Sequence, residues 1–270
     1  MATEQELAAH KPAVTMAVGH DGQIALLTLN RPESLNAISR ALAADLSRTC
    51  ADLAQRADVR AVVVTGAGER AFCAGADLKE RRLLAAPERA AHTAAIEAAA
   101  EALAALPMPT VAAIRGFALA GGAELAVACD LRVAATDAVL GFPEVKIGIF
   151  PGAGGVLRLP ALVGAGAARD LLYTGRRVEA DEALRLGLID RLVAPEDVLF
   201  RARELARAVA ANAPLAVRAV KRGLRESTGS SLAEAREVVN ALRITLDPTE
   251  DYEEGLRAFG ERREPRFSGR

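Results

Sequence analysis

Apolar and polar positions alternate at Val14, Met16 and Val18, and a mostly apolar run follows from Ile24 to Leu29. This period-two pattern predicts two strands, and His20-Asp21-Gly22 between them predicts a hairpin. Asn30-Arg31-Pro32 ends the second strand. Leu42, Leu46 and Leu53 then fall at helical spacing, in a helix that starts near Asn36 or Ser39. Ala61 to Thr65 (AVVVT) is continuously apolar, as in a parallel strand covered on both faces. An Ala-rich helix is expected from Pro87 to Leu106, stopped by Pro107 and Pro109. Short strands are expected at Val111–Ile114, Leu131–Ala134 and Val139–Phe142. Helices are expected at Gly121–Ala128, Gly154–Val163, Ala167–Thr174 and Ala180–Leu186.

Strand and helix alternating over short turns indicate α/β architecture. After Val193 the pattern changes. Pro195–Ala211, Pro214–Glu226, Ser231–Leu246 and Pro248–Arg263 all read as helices with Pro or Ser near each start, and no strand intervenes. Residues 1–194 are therefore expected to form an α/β core and residues 195–270 a helical C-terminal subdomain. The last ten residues, ERREPRFSGR, read as a solvated tail.

Composition narrows the class. Apolar residues make up 51% of the 270 but aromatics only 3%, with no Trp, so the core is aliphatic. Thirty-four basic residues balance thirty-five acidic ones, and no global field recruits nucleic acid or anionic membrane. The longest apolar run, Phe117 to Cys129, is too short for a membrane span and contains Glu124. The N-terminal MATEQELAAHKPA carries acids and lacks an apolar core, so it reads as neither a signal nor a transit peptide. Cys50, Cys73 and Cys129 lack metal-ligand spacing and read as free thiols. The expected setting is soluble, reducing and cytoplasmic.

Candidate chemistry concentrates between Gly116 and Gly155. Glu124 follows Gly121-Gly122-Ala123 and is flanked by Leu125 to Cys129; Glu144 follows Phe142-Pro143 and precedes Val145, Ile147 and Ile149. A buried carboxylate is disfavoured by desolvation, which raises its pKa, and two of them close together make an acid/base pair. Alone, Glu124 also reads as a helix-end carboxylate, and Glu144 as a loop acid paired with Lys146. No Ser/His/Asp arrangement competes: His10, His20 and His92 lie outside the motifs, and GxSxG is absent. Thr65–Gly68 and Gly152–Gly155 complete neither a dinucleotide fingerprint nor a P-loop, and read as turns and a helix start. No metal-ligand cluster is visible either.

Phe72-Cys73-Ala74-Gly75-Ala76-Asp77-Leu78-Lys79, Gly116 to Glu124, Phe142-Pro143-Glu144 and Pro151 to Gly155 together resemble the enoyl-CoA hydratase/isomerase (crotonase) family. The likeness includes Asn30-Arg31-Pro32, Leu35-Asn36-Ala37 and a C-terminal pattern of Glu253, Gly255, Phe259, Arg263, Pro265 and Phe267. It implies a crotonase-like spiral of ββα units followed by a helical subdomain that mediates trimer contacts, two trimers often stacking as a hexamer. It also implies an acyl-CoA thioester substrate and no cofactor, because CoA is part of the substrate.

The family's site maps onto this chain residue by residue. The resemblance makes Glu124 the water-activating base and Glu144 the proton donor to the α-carbon, each such transfer contributing roughly 10²–10⁴-fold. Backbone N–H groups of Gly121 and Ala76 become the oxyanion donors. Adenine and pantetheine are placed against the backbone of Ser34, Leu35 and Ala37, and of Ala74, Ala76, Asp77 and Leu78, with Arg31 and Lys79 as candidate phosphate partners. Isomerases of the family often keep a single acid, so two acids favour hydration. Gly75 to Arg81 (GADLKER) is also similar to the methylglutaconyl-CoA hydratase branch, some of whose members bind RNA through a lysine run on the first helix. Here that helix carries only Arg40, Arg48 and Arg56 with Asp45 and Asp52, so RNA binding is not expected. The alternatives are an isomerase, a specialised acyl-CoA hydratase, and a non-catalytic acyl-CoA- or RNA-binding oligomer. Two departures stand out: Ala120 replaces the first of three common glycines, and Val156-Leu157 replaces a frequent Thr-Gln.

Overall fold

In the computed structural model, which describes residues 12–19 and 22–270, strands β1 (Val14–Val18) and β2 (Ile24–Leu29) pair antiparallel. The two expected strands thus pair; His20 and Asp21 of the expected turn, like His10, lie outside the described residues. Helix α1 (Arg40–Ala54) starts where Ser39 caps the amide of Leu42, and it buries Leu42, Leu46 and Leu53.

The chain then winds as a spiral. Strand β3 (Ala61–Gly66) is followed by the three-residue β4 (Ala71–Cys73), short helix α2 (Leu78–Leu83) and long helix α3 (Ala86–Ala104). The next turn repeats this with β5 (Thr110–Ile114), β6 (Phe117–Leu119) and α4 (Gly121–Ala128). A third turn follows with β7 (Leu131–Ala135), β8 (Val139–Gly141) and α5 (Gly155–Thr174). Gly164, at φ 76° and ψ 159°, kinks α5 into the two halves that the sequence predicts as separate helices. β9 (Arg177–Glu179), α6 (Ala180–Leu186) and β10 (Arg191–Val193) complete the winding.

Each turn gives one strand to a six-stranded sheet, ordered β1-β2-β3-β5-β7-β10, and the next to a four-stranded sheet, ordered β4-β6-β8-β9. The large sheet is parallel apart from β1, and in the small sheet only β9 runs antiparallel. Alternation along a strand then divides the core. Val62 and Val64 face α1 and α3, whereas Ala61 and Val63 face a second apolar layer. Helix α7 (Val198–Ala210) supplies that layer with Val198, Ala202, Ala206 and Ala210. The strands β9 and β10 are not expected from the sequence; among the described residues none follows Val193, and the first helix beyond it packs on the large sheet.

α8 (Pro214–Glu226), α9 (Leu232–Ile244) and α10 (Glu250–Glu261) follow. The C-terminal residues are largely exposed, as their charge suggests, but backbone hydrogen bonds tie them to the body of the protein. Buried Asp251 accepts from the amides of Ser268 and Gly269 at 2.6 and 2.9 Å. Glu254 accepts from Arg263 and the Arg266 amide, and Arg60 donates to the Phe267 carbonyl at 2.6 Å. Cys50, Cys73 and Cys129 are free and buried, and burial pushes each thiol up to about 12. Among the described residues no helix is long and apolar enough to cross a membrane.

Candidate active site

The winding draws two loops together at the ends of β2 and β4. Pro32–Ser34 form one 3₁₀ turn, after which Leu35 and Asn36 both adopt left-handed backbone at φ 54°. Asn36 is buried and holds this bend: its Oδ1 accepts from the Arg31 amide, and its Nδ2 donates to the carbonyls of Ala67 and Ala71. Ala74 donates to Leu35, Ile38 to Gly75 and Asp77 to Ile38, so segments 34–38 and 74–78 lie side by side.

A strut of charge reinforces the joint. Arg31 Nη1 reaches Asp77 Oδ2 at 2.9 Å and the Ala37 carbonyl at 2.6 Å, while Asp77 Oδ1 caps the amides of Lys79 and Glu80. Burial pushes the Asp77 carboxyl up, but the Glu80 amide, Arg31 and the Lys79 amide together hold it below its ordinary value. Arg31 is therefore committed to Asp77, whereas Lys79 is exposed. All the residues singled out for the CoA arm (Ser34, Leu35, Ala37, Ala74, Ala76, Asp77 and Leu78) fall on this joint. A cleft of about 230 Å³ opens beside it between Pro32, Leu35, Asn36, Gly68 and Arg70.

Ala76 and Gly121 lie on the two segments of a close backbone approach. In the bridge to Ile38 the neighbours of Ala76 make both hydrogen bonds, which leaves the Ala76 N–H turned away and unused among the described residues. Gly121 is the first residue of α4, so its N–H has no partner within the helix. Gly75 lies between them at φ 89°; a Cβ there would sit 2.7 Å from the Ala120 methyl and 3.3 Å from the Gly121 nitrogen. Gly122 packs onto the end of β4, where a Cβ would sit 2.0 Å from the Cys73 carbonyl oxygen. These glycines are needed because the backbone segments touch.

Glu124 lies three residues beyond Gly121 in the first turn of α4, and is 3% exposed. Burial pushes its carboxyl up, while the amides of Gly155 and Ala153 pull it back. The Gly155 N–H donates to Oε1 at 2.8 Å. Glu144 sits on a single 3₁₀ turn, Pro143–Ile147, directly after buried Phe142 at the end of β8. The Ala120 amide donates to the Gly141 carbonyl at 2.9 Å, tying this turn to the start of α4. Glu144 is 4% exposed, and neither carboxylate oxygen has a hydrogen-bond partner among the described residues. Burial pushes it up to about 7, and the charge of Glu124 adds to the rise. The expected alternative, a loop acid paired with Lys146, does not describe it.

Glu124 is an anchored carboxylate and Glu144 a free one of raised pKa, so the pair is suited to divided acid and base roles at neutral pH. The two departures sit differently. Leu157 is 82% exposed and Val156 packs on the core, whereas Ala120 takes φ 51° and ψ −129°, a region that favours glycine. In the sequence Gly155 shows only as part of a helix start; its role as the partner of Glu124 depends on α4 and α5 meeting across 31 residues. Among the described residues no group of three or more His, Cys, Asp or Glu is placed to hold a metal ion.

Parallel strands wound alternately into two sheets, with helices returning over their edges, make this a crotonase-fold protein. Its fold matches the crystal structure of an enoyl-CoA hydratase from Bacillus anthracis at a TM-score of 0.93 and 38% identity, covering 96% of this chain and 100% of that one. The chain belongs to the enoyl-CoA hydratase/isomerase family, whose family model matches residues 19–270. It is 37% identical to the short-chain-enoyl-CoA hydratase of Clostridium acetobutylicum over 90% of this chain and 93% of that protein. It is 39% identical to the human mitochondrial enoyl-CoA hydratase domain-containing protein 2 over 95% of this chain and 89% of that protein.

Proposed function

We propose that the protein is an enoyl-CoA hydratase, which adds water reversibly across the double bond of a trans-2-enoyl-CoA to give a 3-hydroxyacyl-CoA. The observation that carries this reading is the pairing of two buried glutamates of unlike environment beside two unused backbone amides. Glu124, oriented by Gly155, takes a proton from water as its oxygen bonds to the β-carbon. Glu144, protonated through its raised pKa, delivers a proton to the α-carbon. Electron density moves onto the thioester oxygen as the double bond breaks, and the N–H groups of Ala76 and Gly121 receive it. Each such donor contributes roughly 2.7–4 kcal/mol in acyl chemistry.

CoA enters as part of the substrate, and this chemistry asks for no separate cofactor. Its arm lies along Ser34, Leu35, Ala37, Ala74, Ala76, Asp77 and Leu78. The family resemblance favours a homotrimer or a dimer of trimers, and the exposure of Val220, Leu224 and Leu232 on α8 and α9, at 61%, 71% and 77%, is consistent with self-association through the helical end.

Loss of the enoyl absorbance of a short trans-2-enoyl-CoA tests the reading. Wild type should consume it, and Glu124→Gln and Glu144→Gln should each lose at least about a hundredfold in rate. Binding without consumption would reject hydration of simple enoyl thioesters. A product with a shifted double bond in place of a 3-hydroxyacyl group would make the protein an isomerase.

A further inference from the structure

We infer that His92, which belongs to none of the sequence motifs, is a positioning residue for the Ala76 oxyanion donor. This inference rests on the proposed oxyanion role of Ala76. His92 lies on α3 and is 0% exposed, and its Nε2 is 2.9 Å from the Ile38 carbonyl oxygen. A carbonyl only accepts, so Nε2 carries the proton. Nδ1 is then a buried acceptor, and it has no partner among the described residues.

A buried imidazole with one idle nitrogen costs stability that Leu at this position would not cost. What it holds gives the reason. The Ile38 carbonyl also accepts from the Asp77 amide at 3.0 Å, and the Ile38 amide donates to Gly75 at 2.8 Å. Ile38 thus grips the residues on both sides of Ala76, and His92 grips Ile38. The same contact reaches the second donor. A Cβ at Gly121 would sit 3.2 Å from Ile38 Cδ1 and 3.6 Å from Cγ2 of Ile96, one turn along α3 from His92. His92 therefore fixes the Ile38 carbonyl and, through Ile38, the two peptides that flank Ala76 and aim its N–H, acting as a support rather than a reacting group.

Gln and Asn distinguish positioning from packing. Both are polar, but only the longer Gln places an N–H donor near the position of Nε2. The thioester carbonyl stretch of a bound saturated acyl-CoA, labelled with ¹³C at the carbonyl, reads the oxyanion hydrogen bonds directly and needs no turnover. We expect wild type to lower this band relative to free thioester, His92→Gln to keep most of the shift, and His92→Asn and His92→Leu to lose at least half of it. On an enoyl-CoA substrate, kcat should fall at least about tenfold in Asn and Leu with KM changed less than about threefold, and Gln should restore it. Equal band positions in Gln and Asn would overturn the inference, as would an unshifted band and kcat in Leu. A wild-type band that does not move on binding would overturn the oxyanion reading itself, and this inference with it.

Discussion

The Gly155 amide and the Glu124 carboxylate are matched so closely that the amide donates at 2.8 Å and a methyl on the same residue would come within 3.0 Å of the accepting oxygen. The same methyl would meet Phe142 Cδ1 at 3.3 Å. Gly155→Ala keeps an ordinary helix-start backbone, where Ala is the better helix former. Its effect should therefore fall on the carboxylate. Steady-state kinetics should show kcat reduced about ten- to a hundredfold, with thermal unfolding displaced by only a few degrees.

As the proposed proton donor, Glu144 should make rate depend on pH with a definite sign. With its pKa near 7, the protonated donor is depleted above that pH, so hydration should slow as pH rises through 7. Dehydration of the 3-hydroxyacyl thioester needs the ionised form and should accelerate over the same range. Initial rates in both directions between pH 5.5 and about 9 check this, and Glu144→Gln should abolish both limbs.

The same carboxyl links pH to stability. Its folded pKa lies above the ordinary 4.5, so the folded state holds the proton more tightly, and this stabilisation is present below 4.5 and lost as pH rises through about 7. Glu144→Gln carries no such loss. Denaturant titrations should show the variant gaining on wild type by roughly 3 kcal/mol between acid and alkaline conditions.

Ala120 holds a glycine-type conformation immediately before Gly121, which costs about 1–3 kcal/mol for a residue with a Cβ. Ala120→Gly relieves this and concedes about 0.4–1 kcal/mol to the freer unfolded chain. Thermal unfolding should show a net gain of about 1 kcal/mol. A loss of stability would mean that the methyl contact with Gly75 outweighs the strain.

Asp251 is buried and ties down residues 268 and 269 through two backbone amides. Asp251→Ala leaves those donors without their acceptor and should destabilise by about 1–3 kcal/mol. Limited proteolysis should then clip the C-terminal residues first, with kcat on enoyl-CoA retained.

The chain itself specified much of this protein. Long elements with clear periodicity, such as α1 with Leu42, Leu46 and Leu53, are set by local pattern and appear where the spacing puts them. Glu124 and Glu144 stand out as carboxylates in apolar surroundings, and resemblance adds Ala76 and Gly121 and gives all four their roles. The segments that contain them meet through the close approach of Gly75 to Gly121 and the Ala120–Gly141 hydrogen bond, though nothing local to each says so. Tertiary structure alone decided the rest. β4, β6 and β9 are three residues long, too short to show a period, and exist because each turn of the spiral offers them a neighbour. The solvated character of the C-terminal residues is visible in their charges, whereas their anchoring to the buried Asp251 through two backbone amides is not. Gly155 and His92 show the same limit. Each acts through one hydrogen bond to a group 31 or 54 residues away, and only the winding of the chain brings such groups together.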